Sequence, residues 1–120
     1  MSVDDLTPAQ LNSQLMDLSH EVGKAVNEVR QRSLQYADAD RAYKRAYAEA
    51  YLDASGTIAE RERTADLESL EARYALKGAE GLMRSADLAL RAKMAQLNAL
   101  QSVASSVRQE HRWGQTGPEQ

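Results

Sequence analysis

The sequence predicts an all-α fold: a long antiparallel helical hairpin of the coiled-coil type that self-associates. The 120 residues include only two Pro and six Gly, whereas Ala, Leu, Glu, Gln and Arg, which lose little side-chain freedom in a helix, are abundant throughout. Apolar residues recur at alternating steps of four and three, which is the period of one helix face. With 5% aromatic residues and no Phe, the chain lacks the side chains of a thick globular core.

The first helix is expected to begin at Pro8 and to end at Ala54. Thr7 and Gln10 form a capping box around Pro8, in which each side chain accepts a hydrogen bond from the other residue's amide. An apolar seam with heptad-like spacing follows, weakens around Tyr36 and then resumes. Its members are Leu11, Leu15, Leu18, Val22, Ala25, Val29, Tyr43, Tyr47, Ala50 or Tyr51, and Ala54.

Ser55 and Gly56 are expected to end the first helix, because Gly tolerates the left-handed conformation just past a last turn. Thr57 and Glu60 form a second capping box, so a second helix starts almost at once. A connection this short folds two helices antiparallel. The predicted organisation is a flexible N-terminus (1–7), a helical hairpin domain (8–113) with helices over 8–54 and 58–112 joined by the turn 55–57, and a disordered tail (114–120).

The second helix is expected to change register and to kink or break near Gly78 and Gly81. Two glycines inside a helix cost about 2 kcal/mol together relative to Ala, and the apolar pattern shifts where they lie. Before the shift the seam consists of Leu67, Leu70 and Tyr74. After it the seam consists of Ala79, Met83, Ala86, Leu90, Met94, Leu97, Leu100, Ala104 and Val107.

A second apolar face on this helix predicts a homo-oligomer. A two-helix hairpin buries one stripe per helix, yet further apolar residues such as Leu76, Leu82 and Leu88 lie off the stripe. Small proteins with too little core commonly cover such a face by self-association. The expected interface residues are Leu82, Leu88, Leu90, Leu97, Leu100, Val103, Val107 and Trp113.

The composition argues against an enzyme, a metal site and a membrane span. There is no Cys, the two His are His20 and His111, and no Gly-rich phosphate loop is present. The acidic residues of 60–73 alternate with Arg in the pattern of a solvated helix face. We therefore expect no catalysis, no cofactor and no small-molecule substrate. The N-terminal segment lacks a signal-sequence pattern, and no apolar run reaches the roughly 18 residues of a membrane span, so a cytoplasmic location is expected.

Tyrosines and basic residues suggest two candidate surfaces for single-stranded nucleic acid. Tyr43, Tyr47 and Tyr51 follow one another at steps of four, and bases stack on such rings for about 1–3 kcal/mol each. Alternatively, these rings continue the apolar seam and only pack. The first surface adds Arg41, Lys44 and Arg45 as phosphate contacts. The second consists of Arg84, Arg91, Lys93, Arg108 and Arg112, for which ordinary solubilising charge is the alternative because the net charge is −3.

Three segments together resemble small all-helical proteins of tailed bacteriophages: AYLDASGT, AERERTADLESLEARYAL and LRAKMAQLNALQSVASSVRQEHRW. The matching residues are Gly56, Thr57, Ala59, Glu60 and Arg61 at the turn, and Leu97, Ala99, Leu100, Ser102, Val107, Arg108 and Glu110 near the end. More distantly, the layout of residues 30–112 is similar to the UvsY-type recombination mediators of phages, helical proteins that form rings, bind single-stranded DNA and load a recombinase.

The resemblance implies a non-enzymatic phage protein of DNA recombination that acts in the host bacterial cytoplasm. It would bind single-stranded DNA and a recombinase as a helical homo-oligomer. The phosphate contacts would be Arg41, Lys44, Arg45, Arg84, Arg91 and Lys93, with Tyr43 and Tyr47 as stacking groups. The alternative function is a structural or adaptor coiled coil that binds only proteins, such as a phage assembly or host-takeover factor.

Overall fold

The computed structural model describes residues 6–116, except for the side chains of residue 111 and residues 113–116. This part of the chain forms three helices and no strand: α1 (Pro8–Asp53), α2 (Ile58–Glu68) and α3 (Leu70–Thr116). The all-α prediction is confirmed. The predicted flexible N-terminus and disordered tail lie mostly outside the described residues, although α3 extends through residues 114–116 of that tail.

α1 begins at Pro8, where the capping box predicts it. The Gln10 amide donates to Thr7 Oγ1 at 3.2 Å, and the Thr7 amide donates to Gln10 Oε1 at 2.8 Å. Amides in the first turn of a helix have no partner within the helix, so both bonds stabilise its start. The helix then continues for 46 residues.

Gly56 separates α1 from α2. Its φ of +108° lies in the left-handed region that favours glycine, and the Glu60 carboxylate lies where a Cβ on Gly56 would be. Thr57 then caps α2, with its Oγ1 accepting from the Glu60 amide at 3.2 Å. These local features end α1 one residue before the predicted Ala54 and start α2 at the predicted residue 58.

The second half of the chain is interrupted at Ser69. The helix does not break at Gly78 and Gly81, so the break expected there is wrong, while the kink expected there stays a prediction. Ser69 is only 2% exposed, and its Oγ donates to the Ala65 carbonyl at 2.6 Å, as its amide does at 3.0 Å. A serine bonded to the carbonyl four residues earlier commonly bends a helix. α3 continues through both glycines, which lie in open space.

The buried face of α2 and α3 follows one uninterrupted heptad pattern, so the predicted change of register is also wrong. The residues expected in the seam, Leu67, Leu70 and Tyr74, are 69%, 40% and 66% exposed, and Met94 is 47% exposed. Small and polar residues lie on the buried face instead. Its buried and half-buried members are Ala65, Ser69, Ala72, Leu76, Ala79, Met83, Ala86, Leu90, Lys93, Leu97, Leu100, Ala104 and Val107.

α1 keeps the same period along its buried face and does not weaken around Tyr36, because Arg32 and Ala39 continue the pattern. Its members are Leu11, Leu15, Leu18, Val22, Ala25, Val29, Arg32, Tyr36, Ala39, Tyr43, Ala46 and Ala50. A second, half-buried row runs beside this face at steps of seven. It consists of Ser33, Asp40, Tyr47 and Ala54.

The chain divides into two compact units, which we call the terminal unit and the turn unit. The terminal unit groups the described parts of Met1–Val26 and Ala89–Gln120. Lys93 Nζ and Glu21 Oε2 are 3.2 Å apart within it. Because it brings the start of α1 to the end of α3, its arrangement is consistent with the predicted antiparallel hairpin.

The turn unit, Asn27–Leu88, contains the remainder of α1, the Gly56 turn, α2 and the start of α3. Here too α1 lies alongside a helix that follows the turn, since the charges of Asp66 and Glu62 of α2 act on Tyr47 of α1. No helix of the described chain is both long enough and apolar enough to traverse a bilayer.

Candidate nucleic-acid interface

The three spaced tyrosines of α1 are half-buried. The rings of Tyr43 and Tyr47 meet edge to face, with centroids 6.5 Å apart and planes at 60°, which is a favourable arrangement for two aromatic rings. Partial burial, followed by the nearby charges of Asp66 and Glu62, raises the pKa of Tyr47. The geometry therefore favours the packing interpretation of Tyr43 and Tyr47 over a free stacking surface.

The basic residues of α1 lie among carboxylates. Lys44 Nζ is 2.9 Å from Asp40 Oδ2, and Arg41 is 4.0 Å from Asp38. The hydrogen bond to Asp40, together with the charge of that carboxylate, raises the pKa of Lys44. Arg45 lies with Arg41 beside a shallow surface depression that Asp38 also lines. Positive charge on this surface is therefore largely balanced by acidic neighbours.

The predicted contacts of α3 are also engaged within the chain. Arg84 bonds to the Glu80 carboxylate one turn earlier. Lys93 is half-buried and bonds to Glu21 of α1. Arg91 is exposed and also interacts with another group of the protein. Exposed ion pairs of this kind contribute only about 0–1 kcal/mol, so an incoming phosphate can replace a carboxylate at little cost.

One pair of cations on α3 was missed by the sequence reasoning. Arg73 and Lys77 lie one turn apart, and within residues 6–116 neither forms an ion pair. Together with Leu70 and Tyr74 they line a shallow depression on the surface. The spacing of charges in the sequence distinguishes this pair from the other cations. Arg84 and Arg91 each lie four residues after an acidic residue, whereas Lys77 lies four residues after Arg73.

These cations share one side of α3, which we call the basic flank: Arg73, Lys77, Arg84 and Arg91. Residues three and four apart on a helix are neighbours, so Lys77 and Arg84 lie next to the half-buried Glu80 on one side and next to the exposed Gly81 on the other. The acidic residues of this flank, Glu80 and Asp87, are half-buried at its inner edge.

The side of α3 that faces away from the buried face carries no charge between Gly78 and Ser106. We call it the neutral outer face: Gly78, Gly81, Ser85, Leu88, Ala92, Ala95, Ala99, Ser102 and Ser106, all of which are exposed. The equivalent side of α1 is different, since Asp17, Lys24, Asp38, Arg41 and Arg45 all lie there. The two long helices therefore present contrasting surfaces.

The residues predicted to form an oligomer interface separate into two groups. Leu90, Leu97, Leu100 and Val107 belong to the buried face of α3 itself, and Val103 is half-buried next to it. Leu82 and Leu88 are 49% and 64% exposed, on or beside the neutral outer face. The side chain of Trp113 is outside the described part of the chain.

Among the described residues, no group of three or more His, Cys, Asp or Glu is placed to hold a metal ion. No family model, curated protein or solved structure matches the chain.

Proposed function

We propose that the chain is a non-enzymatic binding protein that assembles as a homo-oligomer and gathers single-stranded DNA. A recombinase would be its protein partner, in the cytoplasm of a bacterial host. The observation that carries the proposal is the surface of α3, where the basic flank borders the neutral outer face. One helix thus offers a surface for assembly and a surface for an anionic ligand.

The neutral outer face supports the assembly step. Nine exposed positions without charge, with Leu88 among them and Leu82 beside them, are unusual in a chain that is 28% charged. Exposed apolar patches commonly mark interaction sites. Small side chains also let a second helix approach closely, within the usual interaxial distance of about 8–10 Å. A second copy of α3 would cover this face.

Assembly would strengthen a ligand contact that is weak in one copy. A single chain carries net charge −3 and offers the four cations of the basic flank, two of which have partners of their own. When linked copies bind one strand together, the later contacts become intramolecular and the overall affinity rises steeply. The proposal therefore predicts that DNA binding depends on oligomerisation.

The proposal is tested by sedimentation equilibrium and by titration of a labelled single-stranded oligonucleotide at several salt concentrations. We expect an oligomer at micromolar concentration and log K falling linearly with log salt. Arg84→Ala/Arg91→Ala should weaken binding with unchanged helicity. Arg30→Ala/Arg63→Ala removes the same charge from exposed positions elsewhere and should have a smaller effect. The absence of binding at low salt would refute a DNA-binding function.

A protein-only adaptor is the second candidate function. It is favoured by the intrachain pairing of Arg41, Lys44, Arg84 and Lys93 with carboxylates, which reduces the positive charge that phosphates could use. Under this function the oligomer forms and no oligonucleotide binds. A pull-down from infected cells would then recover a specific protein.

A further inference from the structure

Tyr74 differs from the tyrosines of α1. Tyr43, Tyr47 and Tyr51 are half-buried, whereas Tyr74 is 66% exposed. The cause is the heptad of α2 and α3, which places Ser69 and Ala72 on the buried face and leaves Tyr74 on the outside. Its ring is therefore available to an external partner.

Two cations accompany this ring. Arg73 precedes Tyr74 in the chain, and Lys77 lies three residues after Tyr74, about 4.5 Å in axial rise. Both are exposed, and neither forms an ion pair in the part of the chain that the structure describes. Within one turn of Tyr74 along α3 the one carboxylate is Glu71. The local charge is therefore positive on a chain that is acidic overall.

We infer that Arg73, Tyr74 and Lys77 form a nucleotide-contact site, in which a base of single-stranded DNA stacks on the Tyr74 ring and the neighbouring phosphates bind the two cations. The inference rests on the proposed DNA-binding function and locates its stacking group on α3, away from Tyr43 and Tyr47. Leu70, which is 40% exposed and lines the same depression, extends the apolar surface under the base.

Charge and aromatic character together select this ligand. Two unpaired cations alone would suit any anion, including an acidic peptide. An exposed aromatic ring beside them adds a flat surface that matches a base, and base stacking on such rings tolerates every sequence. A single strand satisfies both features, because its bases are free of pairing partners.

The test uses the full chain and fluorescently labelled oligothymidine. Tyr74→Ala should weaken binding by about fivefold or more, which corresponds to a stacking contribution of about 1 kcal/mol or more. Tyr74→Phe keeps the ring and should bind as the unmodified protein does. Arg73→Gln/Lys77→Gln should reduce the slope of log K against log salt by about 1.4, because single-stranded binding loses about 0.7 per phosphate contact.

Leu67→Ala and Arg30→Gln/Arg63→Gln are the matched controls. Leu67 is as exposed as Tyr74 but has no ring. The Arg30→Gln/Arg63→Gln variant removes the same charge as Arg73→Gln/Lys77→Gln, but at positions outside the site. Both should leave binding within about twofold of the unmodified protein if exposed positions outside the site contribute little. Circular dichroism should show equal helicity for all variants, because each changed side chain is exposed.

The outcomes separate the two proposals. If the unmodified protein binds but Tyr74→Ala binds equally well at every salt concentration, the nucleotide site is refuted and the proposed function stands. If poly-glutamate displaces the oligonucleotide and binds in a Tyr74-dependent way, the site belongs to an acidic peptide. If the unmodified protein binds no oligonucleotide, the proposed function fails, and the nucleotide site fails with it.

Discussion

The terminal unit and the turn unit use the same heptad period with different side chains. In the terminal unit the buried positions are mainly Leu and Val, such as Leu11, Leu18 and Leu97. In the turn unit they are mainly Ala, Ser and Tyr, with Ser69 fully buried in the pattern. The comparison teaches that the heptad spacing determines which residues face inward. Hydropathy identifies these residues only in the unit where the heptad positions hold large apolar side chains.

Substitution of two leucines, one in each unit, tests this comparison and should give the largest effect. Leu11 of the terminal unit is 1% exposed and Leu67 of the turn unit is 69% exposed. Leu11→Ala should lower the free energy of unfolding by about 2–3 kcal/mol, because it removes a buried side chain. Leu67→Ala should change it by less than about 0.5 kcal/mol. Urea denaturation at one fixed protein concentration measures both, and equal losses would contradict the assignment of faces.

Two glycines of the turn unit should respond in opposite directions. Gly56→Ala forces a side chain into a φ of +108° and against the Glu60 carboxylate, which should cost about 1–3 kcal/mol. Gly78→Ala adds a methyl group in open space within α3 and should stabilise by about 0.5–1 kcal/mol. Thermal and urea unfolding of the two variants gives the comparison, and a destabilising Gly78→Ala would show that close contact at this position matters.

Ser69→Ala tests whether a polar residue in the buried pattern causes the interruption between α2 and α3. Without the hydroxyl bond to the Ala65 carbonyl, Ala should let the two helices join, with a gain of about 0.5 kcal/mol from helix propensity. The mean-residue ellipticity should rise slightly. A loss above about 1 kcal/mol would mean instead that this buried hydrogen bond stabilises the native chain.

The smallest expected effect is a pH dependence in the turn unit. Because folding raises the pKa of Tyr47, the folded state favours the neutral phenol. The resulting contribution to the free energy of unfolding is fully present below the ordinary tyrosine pKa of about 10. Stability should fall as pH rises through the higher folded pKa. Lys44, whose pKa is also raised, acts in the same direction. Tyr47→Phe should therefore flatten, but not abolish, the decline measured by urea denaturation above about pH 10.

Local signals in the sequence predicted the helix ends well. Thr7, Gly56 and Thr57 act through neighbours within four residues, so their roles are readable from the chain alone. The glycines do not break α3, because the buried face continues past them and outweighs their low helix propensity. The interruption lies instead at Ser69, a buried polar residue bonded to the Ala65 carbonyl, and hydropathy gives no indication of it.

The candidate site was predicted only in part, for a related reason. The sequence placed Arg84 and Arg91 on one side of a helix, and the structure agrees. The apolar pattern does not single out Arg73 and Lys77, because it assigns Tyr74 to the buried seam. Once the seam is known to contain Ala72 and Leu76 instead, the ring and its two cations lie on the outside.

The unbroken heptad in α1 restricts how such a protein can change length during evolution. One residue inserted between Leu11 and Ala25 would rotate every later side chain by about 100° around the helix axis, moving buried positions into solvent. An insertion of seven restores the orientation, provided that the opposite helix lengthens to match. Viable length variants of this protein should therefore differ by paired blocks of seven residues.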